Sequence, residues 1–406
     1  MTQRSLRIVV HDYSGHPGQV QLSRALAGRG HRVTHQHCPS YVTGKGAVEP
    51  SPGDPPELTF QSFAMGRNYN RYSVAQRLLQ EVAYGAKVGR SIANDGPDVA
   101  IISNVPLLAH ALLAVQLRRK RIPMIFWQQD IYSSAIGAAA DKKVPRVGRV
   151  IGWSAELVER AIARSSVAII AISATFLEKL ATWGVAHKTT VIPNWAPIGE
   201  LPVRDRQNPW GERLDLSSVP VVMYTGTLGL KHDPSLLALI ASRLEKTHPS
   251  ARVVVVSQGL GRDWLENWKR ENGADNLLLL DFQDYEDLPA MLASADVLVA
   301  ILEPDASKFS VPSKVLTYLC AGRAILGVIP YDNSVAEILL SNAAGRVVDP
   351  AEREKVAESV VELLDDGDLR KQMGESGRRY AEQSFSPERA AERFEGVFPE
   401  GSANSG

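Results

Sequence analysis

Short apolar runs alternate with helical patterns along nearly the whole chain, and this alternation limits the fold more than any other feature. Runs such as 6–10, 99–102 and 219–224 have the length of a strand, and apolar residues at helical spacing follow each of them. Strands that alternate with helices form βαβ units and a parallel sheet. The runs at 122–127 and 297–302 are far shorter than the roughly 20 residues of a membrane span, and they are typical of strands buried on both faces. The pattern therefore predicts an α/β fold.

The alternation is interrupted between 193 and 220, where prolines and glycines replace the periodic pattern. A chain of 406 residues also favours two domains, since a domain usually holds roughly 100–200 residues. We therefore predict two doubly wound, Rossmann-like domains that face each other across a cleft. The predicted parts are a first domain at 1–195, a linker at 196–218, a second domain at 219–385, a helix at 386–398 that could pack back on the first domain, and a disordered tail at 399–406.

Charge and cysteine content exclude several classes of protein. Lys plus Arg equals Asp plus Glu at 45 each, so general electrostatic attraction to nucleic acid is not supported and any anion site must be local. Cys38 and Cys320 lie far apart and form no CxxC pair, which argues against a disulfide scaffold or a zinc site. The first ten residues resemble a strand rather than a signal peptide, so we expect a cytoplasmic protein.

Because ligands of doubly wound sheets bind outside the carboxyl ends of the strands, the strand-to-helix loops are the candidate sites. In the first half, the loop 11–18 (HDYSGHPG) brings Gly18 to the start of a helix, where backbone can approach an anion; a simple tight turn is the alternative. Gln129 and Asp130 follow a buried strand. Asp130 could orient a sugar hydroxyl or accept a proton, or it could be a helix N-cap.

Two loops of the second half are candidates for a phosphate site. The loop 224–231 offers backbone N–H groups at Gly226, the hydroxyl of Thr227 and the ammonium of Lys231. The loop 303–314 opens a helix predicted to start near Pro312, and its anion-binding candidates are Ser310, Val311, Ser313 and Lys314. The alternatives are a solvated lysine in the first loop and serine capping in the second. We expect both lysine heads to be solvated when no ligand is bound.

Metal and dinucleotide signals are poor. The D-x-D at 366–368 falls between two late helices, where a turn and an N-cap explain it, and the nine histidines show no ligand spacing. Neither glycine-rich loop contains G-x-G-x-x-G. The segment 141–153 alternates basic and apolar residues, which is typical either of an ordinary helix with one core face or of peripheral membrane contact.

Five segments in order resemble glycosyltransferase family 4, bacterial enzymes of the GT-B fold. They are RALAGRGHRV, then AISATFLEKL with VIPNWA, then YTGTLGLKH, DLPAMLASADVLVAIL and VPSKVLTYLCAGRAIL. The resemblance covers nearly the whole chain. It is greatest to the branch that builds surface polysaccharides, including colanic-acid-type fucosyl- and N-acetylaminosugar transferases.

The resemblance implies a retaining glycosyltransferase that needs no metal or other cofactor and uses a UDP- or GDP-linked sugar held mainly by the second domain. Gly18 matches the glycine loop of the family, and Lys231 matches a lysine that follows the diphosphate-contacting position, here Thr227. The acceptor would be a lipid-linked or polysaccharide precursor, which makes the inner face of the cell membrane a candidate location. Two departures exist: the glutamates that the family often carries would fall at Phe309 and Thr317, and a common histidine falls near Gln129. A sugar-nucleotide 2-epimerase and a non-catalytic sugar-nucleotide-binding subunit remain alternatives.

Overall fold

Two parallel sheets organise the chain in the computed structural model, which describes residues 4–40, 46–65, 74–143, 145–229, 232–306 and 310–399. The chain divides into one unit of Met1–Pro193 with Ser386–Gly406 and a second unit of Asn194–Phe385. Every pair of neighbouring strands is parallel in the described residues. The predicted architecture of two parallel-sheet α/β domains is confirmed.

The first unit has a seven-stranded sheet in the order β3-β2-β1-β4-β5-β6-β7. Its strands are β1 (Arg7–Asp12), β2 (Arg32–His37), β3 (Leu58–Ser62), β4 (Val99–Ser103), β5 (Met124–Gln128), β6 (Ala168–Ala171) and β7 (Thr189–Val191). Its first helices are α1 (Pro17–Gly28), α2 (Val74–Asp95), α3 (Leu107–Arg119), α4 (Tyr132–Lys143), α5 (Pro145–Ser165) and α6 (Leu177–Thr182). The central strands β4 and β5 are buried along their whole length, as their continuous apolar runs predict.

The second unit has a six-stranded sheet in the order β10-β9-β8-β11-β12-β13. Its strands are β8 (Val221–Thr225), β9 (Arg252–Val256), β10 (Leu277–Leu280), β11 (Val297–Ile301), β12 (Ala324–Val328) and β13 (Gly345–Val348). Its helices are α7 (Pro209–Glu212), α8 (Ser235–Thr247), α9 (Leu260–Asn272), α10 (Leu288–Ala293), α11 (Lys314–Ala321), α12 (Ser334–Ser341), α13 (Arg353–Asp365) and α14 (Gly367–Ser384).

The last helix, α15 (Pro387–Glu395), belongs to the first unit. Phe394 is fully buried, and its ring meets the ring of Trp127 from β5 edge to face, with centroids 4.8 Å apart. Glu395 accepts hydrogen bonds from Arg29 and contacts His31 at 3.0 Å. The helix is therefore anchored by an aromatic contact and an ionic one.

The segment 196–218, which we predicted as a linker, is folded into the second unit. Arg206 donates to the carbonyl of Val219 at 2.7 Å and to the carboxylate of Asp296 at 3.0 Å. Asn208 caps the short helix α7 by accepting from the backbone of Trp210. These contacts fix the segment to the sheet beside β8.

Besides α7, which lies in the predicted linker, two elements are absent from the sequence prediction. β3 is an edge strand whose residues are mostly half-exposed, so it lacks the apolar run of a central strand. α4 consists largely of alanine, serine and glycine and shows no clear apolar periodicity. It nonetheless packs along α5, where a Cβ on Gly152 would lie 2.9 Å from the Cα of Gly137. Small residues allow these two helices to approach closely.

Candidate active site

The order of the second sheet reverses between β8 and β11, because the chain moves outward from β8 to β9 and β10 and then returns to β11 on its other side. Doubly wound sheets bind ligands at such a point, outside the carboxyl ends of the strands. Gly226 and Thr227 follow β8 directly, and the 303–314 segment follows β11. The structure thus brings the two predicted phosphate loops of this unit to neighbouring strand ends.

Lys314 joins these two loops. It is the first residue of α11, and its Nζ lies 3.7 Å from the centroid of the Tyr224 ring at the end of β8. The ammonium also donates a hydrogen bond to the Tyr224 hydroxyl. A Cβ added to Gly226 would lie 3.4 Å from the same Nζ. The positive charge therefore lies directly at the carboxyl end of β8.

Burial changes the acid–base properties of this lysine. Removal from water lowers the pKa of Lys314 well below its ordinary value, because the charged form loses hydration. Lys314 forms no ion pair with a carboxylate in the part of the chain that the structure describes. The expectation of a solvated lysine head is wrong at this position, since the ammonium packs on an aromatic ring instead. An anion would supply the missing counter-charge.

The loop after β8 is held by backbone contacts that leave Thr227 exposed. Gly226 has a φ of 109°, which only glycine adopts readily, and its N–H donates to the carbonyl of Val256. The Tyr224 hydroxyl donates to the carbonyl of Thr227, and the N–H of Leu228 donates to the Ser257 hydroxyl. Lys231 was also assigned to this loop by the sequence, but it lies outside the described residues.

Tyr318 is a functional candidate that the sequence reasoning missed. It lies one helical turn after Lys314 on α11, and its hydroxyl accepts a hydrogen bond from the Thr225 N–H at 2.9 Å. Burial raises the pKa of Tyr318 to about 12, so the hydroxyl stays protonated. Two side chains of one helix thus fix the end of β8. The i, i+4 spacing was visible in the sequence, but the partner lies 93 residues away.

The helix after the 303–314 loop begins two residues later than predicted, because it starts at Lys314 rather than near Pro312. Ser313 occupies the N-cap position, but its side chain makes no capping hydrogen bond and is exposed. The serine-capping alternative therefore does not hold at Ser313.

Asn333, at the start of α12, holds the residues that precede α11. Ser310 is buried, and its carbonyl accepts from the Asn333 side chain at 3.1 Å; Val311, which follows, is half-buried. Asn333 also caps α12 through Val335, so it links two helix starts. Its role was not predicted.

In the first unit the sheet order reverses between β1 and β4, and a buried carboxylate lies there. Asp12 ends β1 and accepts hydrogen bonds from the His16 N–H at 2.6 Å and from the Asn104 side chain at 2.8 Å. Burial raises the pKa of Asp12. The Asp12 carboxylate thus fixes the loop before α1. Gly18 is the second residue of α1 rather than part of the loop, and the left-handed residue is Gly15, with a φ of 71°.

Gln129 and Asp130 follow β5 and are half-buried. Asp130 is not the N-cap of the next helix, because α4 begins at Tyr132. The carboxylate of Glu159 from α5 takes that role: it accepts from the N–H groups of Tyr132 at 3.0 Å and Ser133 at 2.8 Å, and from Gln128. Burial raises the pKa of Glu159, which is fully enclosed. A distant buried carboxylate thus shapes the turn that carries Gln129 and Asp130.

The described residues contain no group of three or more histidine, cysteine, aspartate or glutamate side chains placed to hold a metal ion. The predicted N-cap is confirmed at Asp366, whose side chain accepts from the Leu369 N–H, whereas Gly367 and Asp368 already belong to α14 rather than to a turn. No helix in the described ranges is long and apolar enough to cross a membrane.

Two family models match the chain in succession. A glycosyl transferase 4-like domain matches residues 17–195, and a glycosyl transferases group 1 domain matches residues 212–380. Together they cover most of both units.

Individual proteins agree with these models. Alpha-D-kanosaminyltransferase of Streptomyces kanamyceticus is 24% identical over 47% of this chain and 48% of its own length. The putative colanic acid biosynthesis glycosyl transferase WcaI of Escherichia coli K12 is 28% identical over 37% of this chain and 38% of its own. The matched segments therefore span less than half of each of these curated relatives.

The crystal structure of Anabaena HepE in complex with UDP and glucose superposes with a TM-score of 0.69 at 16% identity, covering 97% of this chain and 99% of that one. This likeness shows that the two chains share a fold over nearly their whole lengths.

Proposed function

Because the chain belongs to the glycosyltransferases, with a family 4-like domain followed by a group 1 domain, we propose that it transfers a sugar from a nucleotide diphosphate donor to an acceptor. The observation that supports this proposal most directly is the ammonium of Lys314, which lies at the carboxyl end of β8 without a carboxylate partner among the described residues. Departure of a nucleoside diphosphate develops negative charge, and a preorganised cation stabilises that charge best when it is shielded from water.

The donor site would combine Lys314 with the backbone of Gly226, the hydroxyl of Thr227 and the start of α11. The Ser310–Ser313 backbone and side chains border the same helix start. UDP, which HepE binds in its crystal structure, and GDP are the nucleotides we propose for the donor. Lys231 is retained as a proposed contact from the sequence alone.

The chemistry on the first unit is proposed for Asp130 and Gln129, and Gly18 is retained as a proposed contact of the nucleotide sugar. Both polar residues follow the carboxyl end of β5, where Glu159 holds the turn. Asp130 would orient an acceptor hydroxyl or receive its proton. We further propose that the anomeric configuration is retained and that no metal ion takes part, since Lys314 and helix starts offer the positive charge that a metal supplies elsewhere.

A ligand screen tests the proposed activity. Either UDP or GDP, and one of the corresponding nucleotide sugars, should raise the melting temperature. A ligand that binds only the folded state increases the free energy of unfolding by RT ln(1 + [L]/Kd). Transfer of the sugar to an acceptor should continue in EDTA. Conversion of the nucleotide sugar to an epimer without acceptor would instead show an epimerase. Activity that chelation abolishes and Mg²⁺ restores would contradict the metal-independent mechanism.

We also propose that α5 contacts a membrane surface. Its exposed side carries Val147, Val150, Ile151, Trp153 and Leu157, and Trp153 is 63% exposed. Solitary exposed apolar residues are ordinary, but five on one helix form an apolar stripe. The sequence adds Arg149 beside this stripe, and Lys142, Lys143 and Arg146 before it, whose side chains lie outside the described residues. Basic and apolar residues together favour an anionic lipid surface.

Replacing both Val150 and Trp153 by glutamate should reduce binding to phosphatidylglycerol vesicles by about 100-fold or more, since burial of each large apolar side chain contributes about 1.5–3 kcal/mol and about 1.4 kcal/mol is tenfold. Co-sedimentation measures the effect. Val115→Glu on α3 is the matched control, because Val115 is similarly exposed in the same unit but lies outside the α5 stripe. Binding that is equal in all three proteins, or absent from wild type, would exclude this membrane contact.

A further inference from the structure

Tyr224, the fourth residue of β8, has a single hydroxyl that contacts both parts of the proposed donor site. The Lys314 ammonium donates to this hydroxyl, and the hydroxyl in turn donates to the carbonyl of Thr227 at 3.2 Å. The Tyr224 ring is also the surface on which the ammonium packs, with Nζ 3.7 Å from the centroid. One side chain therefore connects the cation with the loop that is proposed to hold the diphosphate.

The loop after β8 uses most of its backbone donors inside the second unit. The N–H groups on either side of Thr227 are bonded: that of Thr225 to the Tyr318 hydroxyl, that of Gly226 to the Val256 carbonyl and that of Leu228 to the Ser257 hydroxyl. Thr227 is exposed, and its own N–H has no hydrogen-bond partner among the described residues. The Thr227 N–H is therefore the backbone donor that this loop can offer to an anion.

The carbonyl that Tyr224 holds belongs to the same residue as this open N–H. The Gly226 N–H is fixed on the preceding side, and the hydrogen bond from Tyr224 fixes the following peptide. Thr227 is thus restrained at both ends and cannot turn its N–H freely. Without the tyrosine hydroxyl, the restraint on the Thr227 carbonyl would be lost.

The two hydrogen bonds of the Tyr224 hydroxyl depend on each other. Burial raises the pKa of Tyr224 well above its ordinary value, so the hydroxyl keeps its one proton. It can accept from the Lys314 ammonium while that proton points to the Thr227 carbonyl. A neutral amine at Lys314 could instead accept the proton, and the Thr227 carbonyl would then lose its donor.

Other titratable groups lie near this pair. Tyr318, one turn along α11, stays protonated because burial raises its pKa to about 12. His232 meets the Tyr224 ring edge to face, with centroids 6.3 Å apart. No carboxylate contacts Lys314 in the described ranges, so the Tyr224 hydroxyl is the acceptor that its ammonium has.

We propose that Tyr224 is a positioning residue of the donor site, which aligns the Lys314 ammonium and the Thr227 N–H on one phosphate. The inference rests on the proposed function, because that phosphate belongs to the nucleotide diphosphate donor. It assigns the alignment of the site to a residue that contacts the lysine and the loop rather than the ligand. The charge on Lys314 then controls both the cation and the geometry of the loop.

Tyr224→Phe tests the role of the hydroxyl alone, since phenylalanine keeps the ring beneath Lys314. The nucleoside diphosphate that the wild type binds, UDP or GDP, should bind about tenfold more weakly, equivalent to about 1.4 kcal/mol. The corresponding nucleoside should bind equally to both proteins, because it carries no phosphate to align. Calorimetric titration measures both ligands.

The pH dependence of binding separates a positioning role from a purely structural one. Burial lowers the pKa of Lys314, and diphosphate binding should weaken as the pH rises through that pKa, since only the ammonium attracts the phosphate. Loss of the hydroxyl removes an acceptor that favours the charged form. In Tyr224→Phe the alkaline decrease should therefore begin about one pH unit lower. The ligand titrates identically in both proteins, so the difference between the two profiles belongs to the protein.

Tyr380→Phe is the matched control, because it is the same change at a half-buried tyrosine of α14 in the same unit. It should alter neither the Kd nor the pH profile. Tyr318→Phe tests the rigidity of the strand end, since the Tyr318 hydroxyl bonds to Thr225 and, in the part of the chain that the structure describes, to neither Lys314 nor Thr227. Its alkaline decrease should begin at the wild-type pH.

Two results would overturn the inference: Tyr224→Phe that binds the diphosphate like wild type, or Tyr318→Phe that shifts the pH profile as far as Tyr224→Phe does. If thermal melts show that Tyr224→Phe does not fold, amide NMR of the wild type decides. The diphosphate should shift the Thr227 amide signal more than that of Leu228, whose N–H is already bonded. An unshifted Thr227 amide would equally overturn the inference.

Failure of this inference is distinguishable from failure of the proposed function. A wild-type protein that binds the diphosphate and transfers sugar, with Tyr224→Phe equal to it, would exclude only the positioning role. A wild-type protein that binds neither UDP nor GDP would contradict the proposed function and, with it, this inference.

Discussion

Replacing Lys314 by methionine is expected to weaken binding of a nucleoside diphosphate by about 10- to 100-fold, because a charge-assisted contact to phosphate contributes about 1.5–3 kcal/mol. The same change should raise the melting temperature of the unliganded protein. The ammonium is buried against the Tyr224 ring without a carboxylate partner among the described residues, so its loss removes a destabilising charge, and the methionine side chain keeps the packing.

Calorimetric titration with nucleoside and nucleoside diphosphate, combined with thermal melts, measures both effects. Binding of the nucleoside alone should be nearly unchanged. Lys246→Met provides the control, since Lys246 is an exposed lysine of the same unit, on α8. Equal weakening of nucleoside and nucleoside diphosphate binding, or a lower melting temperature, would show that Lys314 stabilises the fold and does not bind the diphosphate.

The first unit is expected to lose stability steeply in mild acid. Burial lowers the pKa of His11, His35 and His110 from 6.5 to about 3. In the unfolded chain these histidines take up protons below pH 6.5, whereas in the folded unit they resist protonation until about pH 3. Their contribution to the free energy of unfolding is therefore complete above pH 6.5 and decreases as the pH falls towards 3.

Each histidine loses about 1.4 kcal/mol per pH unit in this window, and the raised pKa values of the buried Asp12 and Glu159 offset part of this loss. Typical domains have only about 5–15 kcal/mol in total, so the melting temperature of the first unit should fall clearly as the pH drops through this window. The buried polar side chains described in the second unit include no histidine, and its transition should shift less. Calorimetric scans between pH 7.5 and 4.5 would separate the two transitions.

One substitution tests this cause. His110 meets the ring of Phe126 edge to face at 4.8 Å, and its Nε2 has no hydrogen-bond partner among the described residues. His110→Leu should therefore reduce the pH dependence. His187→Leu, at an exposed position of the same unit, should leave it unchanged. If both variants keep the wild-type slope, other groups control the acid transition.

The sequence was enough to select those parts of the candidate site that depend on a local pattern. The Gly226–Thr227 turn and the lysine that opens α11 were chosen because glycine, hydroxyl and cationic residues follow apolar strands, and this local pattern is enough to place them at strand ends. What it could not predict was where each side chain points. Lys314 was expected in water, but Tyr224, 90 residues earlier, provides a ring for its ammonium.

The residues that shape the candidate loops were missed for the same reason. Asp12 and Asn104 are 92 residues apart, and Glu159 reaches a turn 26–31 residues before it. Neither pair has a local signature, because a buried carboxylate that accepts backbone hydrogen bonds looks in sequence like any surface acid. The helix α4 was missed because helix packing through glycine and alanine leaves no apolar periodicity to detect.

The return of α15 to the first unit has a consequence for biosynthesis. The sheet of that unit is complete in sequence by Val191, but the partner of Trp127 is Phe394. At about 5–20 residues per second, a ribosome needs about 10–40 s to translate the residues between Val191 and Phe394. During that interval the nascent first unit exposes the face that α15 later covers. The second unit is a complete insertion within it and can fold in the meantime, so the last turns of the chain finish the domain that was begun first.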